Sequence, residues 1–77
     1  MTKEEAIQFA KAYALGVRDA KLWWSTDDFC CIDIWYGLDE YDINVDGEMF
    51  HDGSPNQLRI LIYRREDYSE PIHQEFI

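Results

Sequence analysis

Apolar residues recur every three or four positions along the N-terminal part of the chain. The positions that share this spacing are Ala6, Phe9, Ala10, Tyr13, Val17 and Ala20, with Ile7 and Ala14 widening the same stripe. Such spacing places the apolar side chains on one face of a helix. Thr2 and Glu5 match a capping box, in which each side chain accepts a hydrogen bond from the other residue's backbone amide. The pattern predicts an amphipathic helix from Lys3 to about Leu22.

From residue 29 onward the period shortens to two, which is typical of strands with one buried face. The first predicted strand spans residues 29–36, with Cys30, Ile32, Ile34 and Tyr36 toward the helix and Phe29, Cys31, Asp33 and Trp35 on the opposite side. The second spans residues 41–45, with Tyr41, Ile43 and Val45 inward and Glu40, Asp42 and Asn44 outward. The last spans residues 57–65, with Leu58, Ile60 and Ile62 inward and Arg59, Leu61 and Tyr63 outward.

Turn-forming residues predict the connections between these strands. Gly37-Leu38-Asp39-Glu40 is expected to join the first two strands as a hairpin. Asp46-Gly47 is the strongest short hairpin signal, because both central residues of a type I′ turn need positive φ. A short strand over residues 48–51 would return from that turn, and residues 52–56 would form the next turn. Residues 66–77 are interpreted as a C-terminal tail, interrupted by Pro71.

These elements predict a single α+β domain over residues 1–77, in which the N-terminal helix packs on an antiparallel β-meander of three to four strands. The helix would cover one face of the sheet and leave the other face open. A chain of 77 residues buries only about 60% of its unfolded surface, which leaves little room for an enclosed active-site cavity. Hydrophobic residues make up 47% of the chain, too many for a disordered protein.

Acidic residues are concentrated in the middle of the chain. Residues 22–58 hold nine acids and no lysine or arginine, whereas the flanking residues hold seven acids and seven bases. The whole formal net charge of −9 therefore arises in this segment. A pI near 4.3 disfavours contact with nucleic-acid phosphates or an anionic membrane surface. Such a charge favours a basic partner.

Three kinds of chemistry are matched only in part. Residues 42–47 follow the opening of a calcium-binding EF-hand loop, but Gly53 stands where a bidentate glutamate is needed. Cys30 and Cys31 are adjacent rather than two to four residues apart, which disfavours zinc. The outward carboxylates face water and lack the burial that raises the pKa of a general acid. We therefore expect no metal, no cofactor and no enzymatic activity, with a calcium-binding hairpin as a minor alternative.

The outward positions of the two acidic strands, with the turns that flank them, form the candidate binding surface. Its residues are Asp33, Trp35, Asp39, Glu40, Asp42, Asn44, Asp46 and Glu48. Residues two apart on a strand are separated by about 6.7 Å, so the carboxylates would form a row. We expect this row to block a basic, nucleic-acid-binding surface of a partner protein by placing carboxylates where phosphates would lie. The chain itself is expected to bind neither nucleic acid nor membrane.

In size, acidity and αβ pattern the chain resembles the small phage-encoded inhibitors of bacterial defence, the anti-CRISPR and anti-restriction proteins, and the immunity proteins that neutralise nuclease toxins. The likeness is one of physical type and transfers no residue roles. It implies a cytoplasmic inhibitor, located in the bacterial host if a phage encodes it, and the N-terminus lacks the pattern of a signal peptide. The alternative is a structural or assembly module that self-associates through the open sheet face or the free edge of the last strand. The chain is expected to be a monomer or a weak homodimer.

Overall fold

The structure, a computed structural model, describes residues 1–20, 24–25, 29–50 and 55–77. Helix α1 spans Lys3–Ala20 and begins with the predicted capping box. The Thr2 amide donates to Glu5 Oε1 at 3.0 Å, and the Glu5 amide donates to Thr2 Oγ1 at 3.2 Å. The bond from the Thr2 amide holds the pKa of Glu5 below its ordinary value. The predicted end of the helix near Leu22 lies outside the described residues.

In the part of the chain that the structure describes, five strands form one antiparallel sheet, in which every strand pairs with its neighbours along the chain. Their bounds are β1 Trp24–Ser25, β2 Phe29–Leu38, β3 Tyr41–Phe50, β4 Pro55–Arg64 and β5 His73–Phe76. The predicted fold class, one N-terminal helix packed on an antiparallel meander, is confirmed. The sheet has more strands than predicted, because the short strands β1 and β5 extend it at its two edges.

The core lies between α1 and the inward face of the three long strands. The helix contributes Ala6, Ile7, Ala10, Ala14 and Val17, and the sheet contributes Ile32, Tyr41, Ile43, Val45, Leu58, Ile60 and Ile62. Each of these sheet residues occupies an inward position in the predicted alternation, so that part of the prediction is confirmed. Tyr36 lies on the same face, where its ring packs on Phe9 with centroids 5.1 Å apart.

Strand β3 runs without interruption through Asp46 and Gly47, so the predicted type I′ hairpin at this dipeptide is wrong. Gly47 faces the helix side, opposite Ile32 on β2 and Leu58 on β4. A Cβ atom at this position would clash with the backbone carbonyl oxygen of Gln57, which leaves no room for a side chain. The glycine therefore allows close packing against β4 and does not form a turn.

Residues 48–50 continue β3 and do not return as a separate strand, so the predicted short strand over residues 48–51 is also wrong. The pairing with β4 shifts register between Glu48 and Met49, which marks a β-bulge. Pro55 and Asn56, predicted as part of a turn, begin β4 instead. The rest of that predicted turn, residues 52–54, and residue 51 of the predicted short strand lie outside the described residues.

The predicted hairpin between β2 and β3 is present but tighter than expected. Leu38 still pairs with Tyr41, so only Asp39 and Glu40 lie in the turn. Asp39 adopts a φ of 51°, a left-handed conformation that aspartate tolerates better than most residues. Strand β2 therefore extends two residues beyond its predicted end.

The C-terminal segment is not an irregular tail, because it contributes strand β5. Residues 73–76 pair antiparallel with residues 59–62 of β4. The Ile72 amide donates to the Ile62 carbonyl oxygen at 2.7 Å, and the Ile77 amide donates to the Leu58 carbonyl oxygen at 3.0 Å. The edge of β4 is thus covered along residues 58–62, which corrects the expectation of a free edge on that strand.

Strand β5 is also joined to the helix. Lys11 Nζ lies 2.9 Å from Glu75 Oε2, and Arg18 Nη2 donates to the Ile77 backbone oxygen at 2.7 Å. The Lys11 ammonium holds the pKa of Glu75 below its ordinary value. The last strand and the first helix are therefore neighbours in space.

Candidate binding surface on the open face of the sheet

We call the side of the sheet that points away from α1 the open face. It is formed by Asp33, Trp35 and Gly37 on β2, by Asp42, Asn44, Asp46 and Glu48 on β3, and by Gln57, Arg59, Leu61 and Tyr63 on β4. Asp33 and Asp46 stand directly opposite each other in the β2–β3 register, and Glu48 follows Asp46 along β3. The structure thus brings together four of the predicted carboxylates with Trp35 on one face.

Two arginines from outside the acidic segment reach this face. Arg59 Nη2 lies 2.6 Å from Asp46 Oδ2, and Arg65 Nε lies 3.4 Å from Asp42 Oδ1. The hydrogen bond to Asp46 raises the pKa of Arg59. Since like charges opposite each other destabilise a strand pair, Arg59 also offsets the repulsion between Asp46 and Asp33. The open face is therefore less negative than the base-free segment 22–58 indicated.

Asp39 and Glu40 lie away from the open face. Asp39 Oδ2 is 3.3 Å from the amino group of Met1, beside the start of α1. Glu40 lies beside Tyr41, whose pKa is raised by burial and, to a smaller extent, by the Glu40 carboxylate. Tyr41 belongs to the core under the helix. The structure therefore separates these two predicted residues from the other candidates.

Asn44 faces the open side but is buried, with only 4% of its surface exposed, where the alternation predicted a solvent-facing residue. Its Nδ2 donates to Asp33 Oδ1 at 2.8 Å. Among the described residues its Oδ1 has no hydrogen-bond partner. A buried amide oxygen without a hydrogen-bond partner lowers the free energy of unfolding by about 1–3 kcal/mol. This destabilisation accompanies the hydrogen bond that holds Asp33 in place. Asn44 thus orients a surface carboxylate from beneath.

Three aromatic rings form what we call the outer aromatic cluster: Trp35, Tyr63 and Tyr68. Their centroids are separated by 5.7 Å for Trp35–Tyr63, 6.0 Å for Trp35–Tyr68 and 5.7 Å for Tyr63–Tyr68. Strands β2 and β4 lie about 9–10 Å apart across β3, so the Trp35 and Tyr63 rings must lean together over β3. This explains the burial of Asn44 beneath them.

The outer aromatic cluster keeps a large exposed rim. Trp35 is 53% exposed and Tyr68 is 54% exposed, although both rings are in contact with other rings. Aromatic side chains that are fixed on one side and exposed on the other are typical anchors of protein interfaces. The cluster is therefore preorganised for contact with another molecule.

Tyr68 reaches the open face because the chain turns back after β4. Glu66, in this turn, adopts a φ of 67°. The Tyr68 hydroxyl then donates a short hydrogen bond to Asp42 Oδ2, and this bond raises the pKa of Tyr68. Gly37 leaves the necessary space, since a Cβ atom there would lie 2.9 Å from Arg65 Nη2 and 3.1 Å from Asp42 Oδ1.

A cleft of about 520 Å³ adjoins the outer aromatic cluster. It is lined by Trp35, Tyr36, Gly37, Asp42 and Tyr68. Trp35 and Tyr36 are consecutive strand residues and point to opposite faces, so the cleft reaches around the outer edge of β2. Its aromatic walls and single carboxylate suit a side chain of a partner protein.

Within the described ranges, no group of three or more His, Cys, Asp or Glu side chains is arranged to hold a metal ion. Asp42, Asn44 and Asp46 lie along one continuous strand, so the loop that a calcium-binding hairpin needs is not formed there. Among the residues that the structure describes, no helix combines the length and the apolar character needed to cross a membrane. No family model, curated protein or solved structure matches this chain.

Three residues of this surface, Arg59, Arg65 and Tyr68, were not among the predicted binding residues. A signal for Arg59 was present, since the alternation in β4 placed it on the outward side with Tyr63. Arg65 and Tyr68 arrive through the turn after β4, which no short-range pattern indicates. Their partner on the open face is Asp42 in both cases.

Proposed function

We propose that this chain is a non-enzymatic binding protein that uses the open face of its sheet to engage a basic surface of another protein. The observation that carries the proposal is the outer aromatic cluster, which lies exposed beside the carboxylates of β2 and β3. Exposed tryptophan and tyrosine rings supply contact area at small entropic cost, and carboxylates steer a cationic partner toward them.

The distribution of charge supports a basic partner. Asp33 and Glu48 lie on the open face and form no ion pair among the described residues. They are free to bind lysine or arginine from a partner, whereas Asp42 and Asp46 are already bonded to arginines. The net charge of −9 adds a long-range attraction that raises the association rate with cationic proteins.

The partner is proposed to be a nucleic-acid-binding protein, whose basic site this chain blocks as an inhibitor. In this role the carboxylates of Asp33 and Glu48 take positions that phosphates would otherwise occupy. Because Arg59 and Arg65 neutralise the neighbouring carboxylates, the blocked site is local and does not extend along a whole duplex-binding groove. Apolar contact with Trp35 contributes the remainder of the affinity.

Self-association through the open face is a second candidate. It is favoured by one observation, which is that Trp35 and Tyr68 each expose about half of their surface on this face, an apolar area that a second copy would cover. An assembly held by such apolar contacts would persist at high salt, while an electrostatic complex with a basic partner would weaken steeply. Sedimentation velocity at low and high salt separates the two.

The proposal is tested by immobilising the chain and capturing proteins from a bacterial lysate at low salt. We expect a basic nucleic-acid-binding protein that elutes as the salt is raised, and whose binding to DNA or RNA the free chain inhibits. The Glu48→Lys and Trp35→Ala variants should each fail to capture this protein. Glu48 is exposed and forms no ion pair among the described residues, so its substitution reverses a surface charge and breaks none of the ion pairs described.

Matched controls lie on the exposed side of α1. Asp19→Lys makes the same charge change as Glu48→Lys, and Leu15→Ala removes an exposed apolar side chain as Trp35→Ala does. Both controls should capture the partner as well as the unmodified chain does. Equal loss in controls and open-face variants, or equal retention in both, would rule out the open face as the interface.

A further inference from the structure

We infer that the outer edge of β2, along residues 32–38, is a docking site for an extended, basic segment of a partner protein that adds to the sheet as a further strand. The inference deepens the proposed function and rests on it, because it specifies how the partner of the open face is held. Such docking adds backbone hydrogen bonds along β2 to the side-chain contacts that the open face makes with the partner.

Within the described residues, no strand pairs with the outer edge of β2 over residues 32–38. Strand β1 pairs only with Cys30 and Cys31, and no other described residue pairs with the outer side of residues 32–38. The long strand on the other side of the sheet, β4, differs in this respect, because β5 pairs with it along residues 59–62. At about 3.3 Å per residue, the open part of β2 extends for roughly 23 Å, enough to pair with a short peptide.

This edge lacks the features by which proteins prevent strand addition. Exposed edges are usually protected by lysine, proline, a β-bulge or a very short strand. Residues 32–38 read Ile-Asp-Ile-Trp-Tyr-Gly-Leu and contain neither lysine nor proline. The bulge in the sheet lies between Glu48 and Met49, on β3. The outer edge of β5 is also open in the described structure, but that strand has only four residues.

Large side chains flank the edge on both faces of the sheet. Trp35 is 53% exposed on the open face, and Tyr36 is 41% exposed on the helix side. An added strand would direct its side chains alternately to these two faces and would contact both rings. The cleft of about 520 Å³ continues this path, because Gly37 carries no side chain to separate the edge from Asp42 and Tyr68.

Charge determines which occupant the edge favours. Asp33 lies on the edge, and Asp39 and Glu40 follow directly after it. A second copy would bring the same carboxylates together from two chains that each carry a net charge of −9. A segment with lysine or arginine at alternate positions would instead pair with them. The structure therefore favours a basic strand from a different protein.

The test uses the unmodified chain, labelled for amide hydrogen exchange by NMR, with three synthetic peptides long enough to span residues 32–38. The first alternates lysine and valine, the second has prolines in place of alternate valines, and the third alternates glutamate and valine. With the first peptide at ten times its dissociation constant, alternate amides in residues 32–38 should exchange roughly tenfold more slowly. The amides of β5 serve as an internal control and should be unaffected.

The proline and glutamate peptides should give no such protection, because one lacks backbone donors and the other carries the wrong charge. Binding of the lysine peptide with shifts at Trp35 and Glu48 but no protection of residues 32–38 would overturn the inference and leave the proposed function intact. Absence of saturable binding by the lysine peptide at low salt would also overturn it. The inference would also be overturned if these amides, with no peptide present, exchanged more slowly as the protein concentration increased. A second copy of the chain would then be the occupant of the edge.

The Tyr36→Lys variant gives an independent check, because it places a charge on the edge and leaves the open face unchanged. Loss of the ring contacts with Phe9 and Tyr13 should lower its unfolding free energy, so binding is measured at a temperature at which its far-UV circular dichroism matches that of the unmodified chain. Under these conditions it should bind the lysine peptide at least roughly tenfold more weakly. Undiminished peptide binding by a folded Tyr36→Lys variant would contradict the inference. If the Trp35→Ala variant no longer captured the partner while the Tyr36→Lys variant still did, the open face would be supported as the interface and the edge of β2 would not.

Discussion

Among the described residues, three aromatic rings contact one another on each side of the sheet, but the surroundings of the two groups differ. On the helix side Phe9, Tyr13 and Tyr36 have centroids 5.1–6.0 Å apart, and on the open face the outer aromatic cluster has centroids 5.7–6.0 Å apart. The helix-side rings adjoin an apolar core. The outer rings adjoin carboxylates, arginines and a buried asparagine.

This difference separates stability from recognition. Rings that continue an apolar core add to the free energy of folding through burial. Rings held by hydrogen bonds and ion pairs on an exposed face are fixed in position while much of their surface stays accessible. Substitutions on the helix side should therefore act mainly on folding, and substitutions on the open face mainly on binding.

The largest effect is expected from Ile32→Asp, which places an unpaired charge in the core under the helix. Ile32 is buried, and a charge there should cost more than about 4 kcal/mol and unfold the domain. The neighbouring Asp33→Asn, on the open face, should change the unfolding free energy by less than about 1 kcal/mol. Circular dichroism with urea titration measures both. A folded Ile32→Asp protein would mean that the helix packs on the opposite face.

A smaller loss is expected from Gly47→Ala. The added methyl group meets the Gln57 carbonyl oxygen and the Leu58 side chain, so the strands must move apart, at a cost of about 3 kcal/mol. Gly16→Ala is the matched control, because nothing lies within 4 Å of a Cβ atom at that helix position. It should stabilise the protein by about 0.5–1 kcal/mol. Equal effects of the two changes on the urea midpoint would disprove the close approach at Gly47.

The two aromatic groups are compared directly by truncating one ring from each. Phe9→Ala should lower the unfolding free energy by about 2 kcal/mol, because the ring packs against the core. Trp35→Ala should lower it by about 1 kcal/mol, since half of that side chain is already in water. Thermal and urea unfolding provide the measurement. A Trp35→Ala loss as large as that of Phe9→Ala would show that the outer cluster is part of the core.

The smallest effect concerns the titration of Tyr68. The neutral Tyr68 hydroxyl donates a hydrogen bond to Asp42, and this bond raises the pKa of Tyr68 above its ordinary value of 10.0. The hydrogen bond is therefore present at pH values below 10.0 and is lost as the pH rises through the raised pKa. In Asp42→Asn the pKa of Tyr68 should fall toward that ordinary value. The raised pKa of Tyr41, caused by burial, should stay unchanged and serves as the control. Ring NMR signals report each residue separately, and an unaltered Tyr68 titration would exclude the hydrogen bond.

Much of the fold follows from local sequence patterns. The helix, its capping box and the inward residues of β2, β3 and β4 were predicted, because burial on one side imposes a period on each element. The Asp46-Gly47 turn was predicted wrongly for an equally physical reason. The dipeptide favours a turn by itself, but the inward alternation of Ile43 and Val45 continues at Gly47, and close packing against β4 determines the outcome.

The candidate surface was predictable only in part. Alternation, which is a local property, placed Asp33 and Asp42 on outward positions of their strands, whereas Asp46 was predicted in a turn and lies instead on β3 opposite Asp33. Their neutralisation by Arg59 and Arg65 depends on which strands pair and on the turn after β4, and these contacts join residues far apart in sequence. Strand β5 was missed because Pro71 indicated an interruption, whereas the strand begins just after it at His73.

The joining of α1 to β5 has a consequence for how the protein is made. Lys11 and Arg18 on the first element bind Glu75 and Ile77 at the end of the last one, so the native arrangement requires both. Because α1 precedes β5 in the chain, the helix leaves the ribosome before the strand that it contacts. Until β5 has been translated, α1 lacks these two polar contacts, and only the apolar core shared with β2, β3 and β4 holds it on the sheet.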